Sequence, residues 1–525
     1  MNQIPWNDLP FWGFTEEQLK QRPFWENAAR DVIQLETNGE KIGVVADTGA
    51  GKTIIALLVT LQAAGDRVLF LVPQRILADQ HRDLLLRITG GTAKSRVITG
   101  ETLCKNRVWN DDKDSVVFAT PQVIQSTMRS SPSMLCNFRR IIFDEFHKAS
   151  GKYPYVPIAK IATDLKLAIL ALSASPGTNE SKIESVMRSC GVTRLLRVDW
   201  LNAPKRIESL IQAEPDQKLV EIDNLFNVLL EESTEKLEEV FESLNYKLER
   251  SNGYIAESKI QEAEKYLQAL GQKTPAYFTA VSFIAEYNKL RHGHKILLTE
   301  GYEIFDAYIS ERIELDHSLA ARSIRGNGVF KEIVKLVREP HDEHPKVAKL
   351  IELLESMHRM SWRGIIFVAF KKTAFCLQQK LAKIGLKTEV LFGGKDKNVR
   401  RQKEILERLR KEQISFIIST SVIEEGIAVP EVKAVIHYSM PQNSISRIQR
   451  SGRTARVQPG NVVYVALNHY LDIARYWRTK TGVRKMKELI GAQPPRIKSP
   501  HRKKNKNRED KSQFLFGFMS QAAYG

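Results

Sequence analysis

The chain has 525 residues, 42% of them hydrophobic, with 79 Lys and Arg against 61 Asp and Glu and a formal net charge of +18. That length exceeds the size at which one core keeps growing, so several domains are expected, and the positive balance points to a polyanionic partner. Cys104, Cys136, Cys190 and Cys376 lie far apart with no C-x-x-C pair, which argues for a reducing compartment and against a zinc module, and no apolar run reaches membrane-spanning length.

The N-terminal "MNQIPWNDLPFWGF" is aromatic and polar rather than basic and then apolar, so no secretory leader is read there. A soluble intracellular protein is expected, cytoplasmic and nucleoid-associated or nuclear, with no membrane partner. Next comes "KIGVVADTGAGKTIIALL", in which Ile42 to Ala46 read as a buried strand and Thr53 opens a helix, so Asp47 to Lys52 must turn sharply. A glycine-bearing loop at a helix N-terminus presents backbone N–H groups to anions, and Lys52 adds a cation that reaches a terminal phosphate. Thr48, Gly49, Ala50, Gly51, Lys52 and Thr53 are the candidate phosphate cradle; Ala46 fills the first glycine of the P-loop pattern.

The strands "RVLFLVP", "SVVFAT", "RRIIFDE" and "LAILALSA" alternate with helical segments, the pattern of a parallel α/β domain assigned to residues 1–200. Asp144 and Glu145 follow the third of these. With the Thr53 hydroxyl, Asp144 is suited to hold Mg²⁺ through its waters, and Glu145 to orient and deprotonate an attacking water. Over residues 201–343 the strand signal vanishes and Leu219, Ile222, Phe226, Leu229 and Leu230 follow helical spacing, so an all-helical insert is expected. The runs "RGIIFVAF", "TEVLFG", "ISFIIST", "KAVIHYSM" and "NVVYVAL" define a second α/β domain over 344–495. Its segment "SRIQRSGRTARVQPG" puts Gln449, Arg453 and Arg456 around Gly452. Alone this would be a basic surface helix; with a P-loop upstream, its guanidinium forks suit the charge on a γ-phosphoryl group brought across a cleft. "RHGHK" around His292 and His294 reads as a loop, and "HDEH" at 341–344 as a solvated linker, not as metal sites. The tail, 496–525, carries eight bases against two acids and is expected to be disordered, although Leu515, Phe518 and Met519 suit a partner pocket.

The motifs together resemble those of superfamily 2 helicases: ADTGAGKT (46–53), VPQRILADQ (72–80), VITG (97–100), ATPQ (119–122), DEFH (144–147) and SASPG (173–177), then "GIIFVAF", Thr420 to Pro430, and Gln449 to Arg456. Within that superfamily the chain is similar to the Hef and Fanconi anaemia translocase branch in "SASPG", the helical block between motor domains, "EHPKVAKLIELL" and "SVIEEGIAVPEVKAVIHY". The resemblance implies two RecA-like parallel-sheet motor domains closing over ATP and Mg²⁺, 3′ to 5′ translocation, and an insert that grips branched or double-stranded nucleic acid. It implies strand contacts at Arg75, Thr99, Gly100, Thr120, Gln122 and Thr420, and coupling of hydrolysis to movement through Ser173 and Ser175. Three departures stand out. Trp25 occupies the place of the family's adenine-reading glutamine, so two outcomes stay open: adenine selection by stacking on its ring, or weak adenine selection. Ala428 replaces an aspartate that touches ribose, and the nuclease element E-R-K is absent, so a separate nuclease is an expected partner. The octet "SQFLFGFM" is similar to sliding-clamp-binding peptides, with Ser512 in place of the leading glutamine. The expected function is an ATP-dependent DNA helicase or translocase on forked or branched DNA in replication or repair. Two alternatives stay open: an RNA-directed helicase, and an ATP-gated clamp that recruits a nuclease or sliding clamp without unwinding.

Overall fold

A computed structural model describes residues 5–62, 66–102, 115–199, 204–251, 254–271, 273–392, 399–420, 430–455, 458–489 and 491. The first unit is built on β1 (Ile42–Val45), β2 (Val68–Leu71), β3 (Ser95–Ile98), β4 (Val116–Ala119), β5 (Arg140–Asp144), β6 (Ala168–Ser173) and β7 (Arg194–Arg197). Among the described residues these form one parallel sheet in the order β3-β4-β2-β5-β6-β1-β7. Helices cover both faces, which is why β1, β2, β4 and β5 are buried along their whole length and read as unbroken apolar runs. The helix Lys52–Gln62 is apolar on every side and buried from Ile54 to Leu61, so the loop before it is anchored at both ends.

The next strand, β8 (Arg206–Ala213), corrects the expected start of the insert: it lies within residues 201–343 yet belongs to the second sheet. It is an edge strand, half exposed and interrupted by Glu208, Ser209 and Gln212, so it offers no continuous apolar run to read. The insert proper begins with the helix Gln217–Ser243 and is not wholly helical, because a short hairpin, β9 (Arg250–Ser251) and β10 (Tyr254–Ile255), sits between its helices. Leu219, Ile222, Phe226, Leu229 and Leu230 all face its core, packed with Ile284, Leu297 and Phe305. "RHGHK" is also corrected. It lies inside the long helix Pro275–Glu300, where His294 Nε2 is 2.6 Å from Asp223 Oδ1 and its ring stacks on Phe226. A Cβ at Gly293 would stand 3.0 Å from Tyr308 and 3.1 Å from Phe305, so this glycine serves helix packing rather than a turn. "HDEH" is no solvated linker at its end either, since His344 is fully buried and its Nδ1 accepts from Lys346 N as the cap of the helix Pro345–Arg359.

The second sheet comprises β11 (Gly364–Phe367), β12 (Thr388–Leu391), β13 (Phe416–Ser419), β14 (Ala434–His437) and β15 (Gly460–Leu467) together with β8, all parallel, in the order β12-β13-β11-β14-β15-β8. The insert is joined to it through a buried polar cluster. Lys346 donates to Asp472 Oδ2 at 2.7 Å and to Thr299 O at 3.0 Å, while the Glu300 carboxylate accepts from Ser439 and Thr373 hydroxyls, each at 2.8 Å. Lys346 is fully buried and Asp472 nearly so. Replacing Lys346 with methionine should therefore cost about 3–5 kcal/mol, because an uncompensated carboxylate would remain inside. Urea unfolding measures this, and a loss below about 1 kcal/mol would mean that water already reaches Asp472. No helix among the described residues is long and apolar enough to cross a membrane.

Candidate active site

The cradle is set by backbone conformation. Gly49 and Gly51 take φ of 96° and 86°, left-handed values that a side chain resists, and the helix starts at the next residue, Lys52. Lys52 Nζ donates to the carbonyls of Ala46 (3.1 Å) and Asp47 (3.3 Å). Burial lowers its pKa, the carboxylates of Glu145, Asp144 and Asp47 oppose that shift, and Arg453 adds to it. The ammonium is therefore costly where it stands and suited to a polyanion.

Asp144 ends β5, buried, with Oδ2 3.0 Å from His81 Nε2 and Oδ1 accepting from Glu145 N at 3.0 Å. Tyr155 OH donates to its carbonyl at 2.7 Å, which fixes the strand end. Glu145 is held at φ 51° and ψ 51°, a strained left-handed conformation for a residue with a side chain. Burial would raise its pKa, but adjacent His147, then Lys52 and Lys148, outweigh it and bring it down to about 2. His147 Nδ1 is 3.0 Å from Ser173 Oγ and 3.2 Å from Glu145 Oε2; one ring nitrogen serves one partner well, and the hydrogen bond goes to Ser173. Ser173 Oγ also accepts from Ser175 N at 3.0 Å, so the acidic pair and the serines form one connected group.

From the other unit, the helix Ser444–Ser451 is capped by Asn443, whose Oδ1 accepts from Ser446 N at 2.9 Å, and it carries Gln449 just before Gly452 and Arg453. Gln449 and Arg453 are buried. A Cβ on Gly452 would fall 2.2 Å from Thr48 Cβ, so the arginine-bearing turn lies directly on the cradle. Three further contacts join the units: Ser175 Oγ donates to Met486 Sδ at 2.8 Å, Ala174 packs with Ile448 and Met486, and Lys487 Nζ is 3.8 Å from Asp47 Oδ2. Arg456 lies outside the described residues, as do Ala428 and the tail.

Thr48 Oγ1 and Gln449 Nε2 are buried without a hydrogen-bond partner, one from each side of the contact. Such orphans suit a nucleotide phosphate placed between them. For Mg²⁺ the fit is of the substrate-borne kind: Thr53 and Asp144 offer hard oxygens, and no group of three or more metal-ligating side chains exists among the described residues.

Trp25 is placed differently from expectation. Only 3% of it is exposed, its ring packs against Phe11 and Phe14, and its Nε1 donates to Ala50 O at 3.0 Å. A Cβ on Gly51 would meet that indole at 2.3 Å. Buried in this way, the ring has no face to offer an adenine and instead buttresses the cradle. Trp25→Phe, which removes a hydrogen bond of about 0.5–1.5 kcal/mol, should raise KM for ATP roughly 3- to 10-fold with a smaller change in kcat. Steady-state ATPase assays measure both, and an unchanged KM would remove the indole from cradle support.

The expected strand contacts all follow the C-terminal ends of parallel strands: Arg75 after β2, Thr99 and Gly100 after β3, Thr120 and Gln122 after β4, and Thr420 after β13. They are unequally available. Arg75 is ion-paired with Glu101, Thr99 and Thr120 are buried, Thr420 is half-buried, and Gly100 and Gln122 are exposed. His81 was not singled out from the sequence, although "ADQH" places it one turn beyond Leu77 on a buried helical face.

Two parallel α/β units meeting over a P-loop define a RecA-like motor of the helicase ATPase class. Residues 26–183 match the DEAD/DEAH box helicase family and residues 345–458 the helicase conserved C-terminal domain. A Methanocaldococcus jannaschii protein provisionally named an ATP-dependent RNA helicase is 28% identical over 485 residues, covering 90% of this chain and 61% of its own. The ATP-dependent DNA helicase fml1 of Schizosaccharomyces pombe is 23% identical over 490 residues, 86% of this chain and 58% of that one. The crystal structure of the Pyrococcus furiosus Hef helicase domain superposes with a TM-score of 0.62 at 27% identity, covering 85% of this chain and 96% of that one. The chain belongs to the superfamily 2 helicases, in the group that includes Hef and the Fanconi anaemia translocases. It spans about three fifths of the length of the two curated relatives.

Proposed function

We propose that the protein hydrolyses ATP between its two α/β units to drive a helicase or translocase along DNA, acting on forked or branched substrates in replication or repair. The observation that carries this reading is the seating of Gly452 on Thr48, which delivers Gln449 and Arg453 to the cradle that holds Lys52. In this reading the cradle N–H groups and Lys52 bind the β- and γ-phosphates, and Glu145 orients the attacking water. Arg453, with Arg456, neutralises charge that builds on the transferred group. Bound Mg²⁺, held by Thr53 and Asp144, would supply further neutralisation of phosphate charge. Ser173, bonded to His147, and Ser175, bonded to Met486 of the other unit, give changes at the acidic pair a path to the opposite unit. The strand is proposed to run over Arg75, Thr99, Gly100, Thr120, Gln122 and Thr420, and the net charge of +18 favours a polyanion. The tail residues Leu515, Phe518 and Met519 are the proposed contact to a sliding clamp.

The deciding experiment is an ATPase panel with single strands, duplexes, forks, four-way junctions and structured RNA of equal length. Strongest stimulation by forks or junctions is expected. Strongest stimulation by RNA would favour the second reading, an RNA-directed helicase, to which the name of the Methanocaldococcus relative also points.

A further inference from the structure

The helix Arg75–Ile88 buries Leu77, His81 and Leu85 along one face, so an imidazole stands one turn from a leucine on either side. Packing alone calls for a third leucine there, because a ring with two polar nitrogens costs free energy when taken out of water unless it is bonded. The ring is held edge-on to Phe70 of β2, with centroids 5.3 Å apart, and its Nε2 lies 3.0 Å from Asp144 Oδ2. A carboxylate oxygen only accepts, so Nε2 carries the proton. Any acceptor would satisfy an ordinary core histidine; this one meets the acid that ends β5. The bond to the other oxygen, from Glu145 N to Oδ1 at 3.0 Å, comes from the adjacent residue and belongs to the strained turn after the strand. With one bond on each oxygen, the plane of the carboxylate is fixed and its remaining lone pairs have set directions. A carboxylate that holds an ion needs such fixing, and the groups that supply it are worth about 10–100-fold in metal affinity.

The same helix has two further attachments. Its first residue, Arg75, is ion-paired with Glu101, which follows Gly100, and Arg75 and Gly100 both belong to the proposed strand path. Ile76 is buried and joins the apolar core that Phe367, Ile417 and Val435 form in the second unit. From Arg75 to His81 the distance along the axis is about 9 Å, at about 1.5 Å per residue. One short rod therefore touches the proposed strand path, the opposite unit and the acid of the nucleotide site.

We propose that His81 is a positioning residue, setting the Asp144 carboxylate for a divalent ion and tying it to the strand-facing turn of its own helix. This rests on the reading of the protein as an ATP-driven motor in which Thr53 and Asp144 hold Mg²⁺. His81 acts through Asp144 and not on the nucleotide. A strand gripped at Arg75 moves or stiffens the helix, and the imidazole passes that change to the acid. By linkage, the strand tightens the ion by the same factor as the ion tightens the strand.

The test uses the full chain, a non-hydrolysable ATP analogue, and Mn²⁺ in place of Mg²⁺, with free Mn²⁺ read from its paramagnetic resonance signal. His81→Leu, which fills the space without a donor, should raise the Kd for Mn²⁺ about 10–100-fold. His81→Gln, whose side-chain N–H groups reach about as far as Nε2, should recover most of that loss. Affinity for the analogue in EDTA should stay within about twofold in both variants, as sites that share no partner behave independently. Should His81→Leu fail to fold, His81→Met repeats the comparison with a more adaptable side chain. An Mn²⁺ affinity unchanged by the apolar variant, or a loss that glutamine does not recover, would overturn the assignment and make His81 a packing residue. Forked DNA should tighten Mn²⁺ in the unchanged chain and fail to do so in His81→Leu; equal tightening in both, or none in the unchanged chain, would overturn the link to the strand. If the unchanged chain takes up Mn²⁺ no better with the analogue than without it, the reading of Thr53 and Asp144 as the ion's holders is overturned rather than the role of His81.

Discussion

Replacing Lys52 with alanine is expected to lower ATP turnover about 10²–10³-fold, the cost of removing one preorganised positive group from developing phosphoryl charge. The side chain already lies within 3.1–3.3 Å of the loop's own carbonyls, so it is positioned in advance and little reorganisation accompanies its use. DNA affinity in the absence of nucleotide should stay within about twofold, because Lys52 stands at the cradle and not among the loops that follow β2, β3, β4 and β13. Steady-state ATPase at saturating forked DNA measures the first quantity and anisotropy the second. Turnover close to that of the unchanged chain would remove Lys52 from the reaction.

Glu145→Gln should lower kcat about 10²–10⁴-fold while leaving KM for ATP nearly unchanged, since the substitution keeps the shape and removes the charge that orients water. The pH profile carries a second expectation. Because the carboxyl group is brought down to about 2, it is ionised throughout the working range. A folded pKa below the ordinary carboxylate value means that ionisation is lost only as pH falls towards that low value, so no acid limb above about pH 4 should belong to Glu145. Such a limb persisting in the glutamine variant would trace to another group; one that vanished with the substitution would contradict the lowered pKa. Fork unwinding at full rate by Glu145→Gln would move water activation elsewhere.

The parts of this protein that can be read from sequence are those governed by short-range rules. β5 appears as "RRIIFDE" because a strand buried on both faces must be apolar without interruption, and the cradle shows itself because only glycine accepts the conformations of residues 49 and 51. Edge strand β8 escaped, since half exposure gives it a mixed pattern that resembles the amphipathic helices after it. His81 escaped for a different reason: its bond to Asp144 spans 63 residues, and no local pattern in a helix announces which loop it will meet. Trp25 shows the limit of reasoning by position within a motif. An aromatic residue where the family has a base-reading amide suggests stacking, but whether a ring faces a ligand or the underside of a loop depends on Phe11 and Phe14, which claim it first.

The buried bonds of Lys346 and Glu300 have a mechanical consequence. They weld one end of a 26-residue helix to the second sheet, so the insert cannot pivot freely there and must swing with that unit as a boom fixed to its turntable. At about 1.5 Å per residue the boom is about 39 Å long, and each ten degrees of rotation would sweep its far tip through about 7 Å. An angular stroke of that size at the nucleotide would become a displacement of nucleotide-spacing size at the tip.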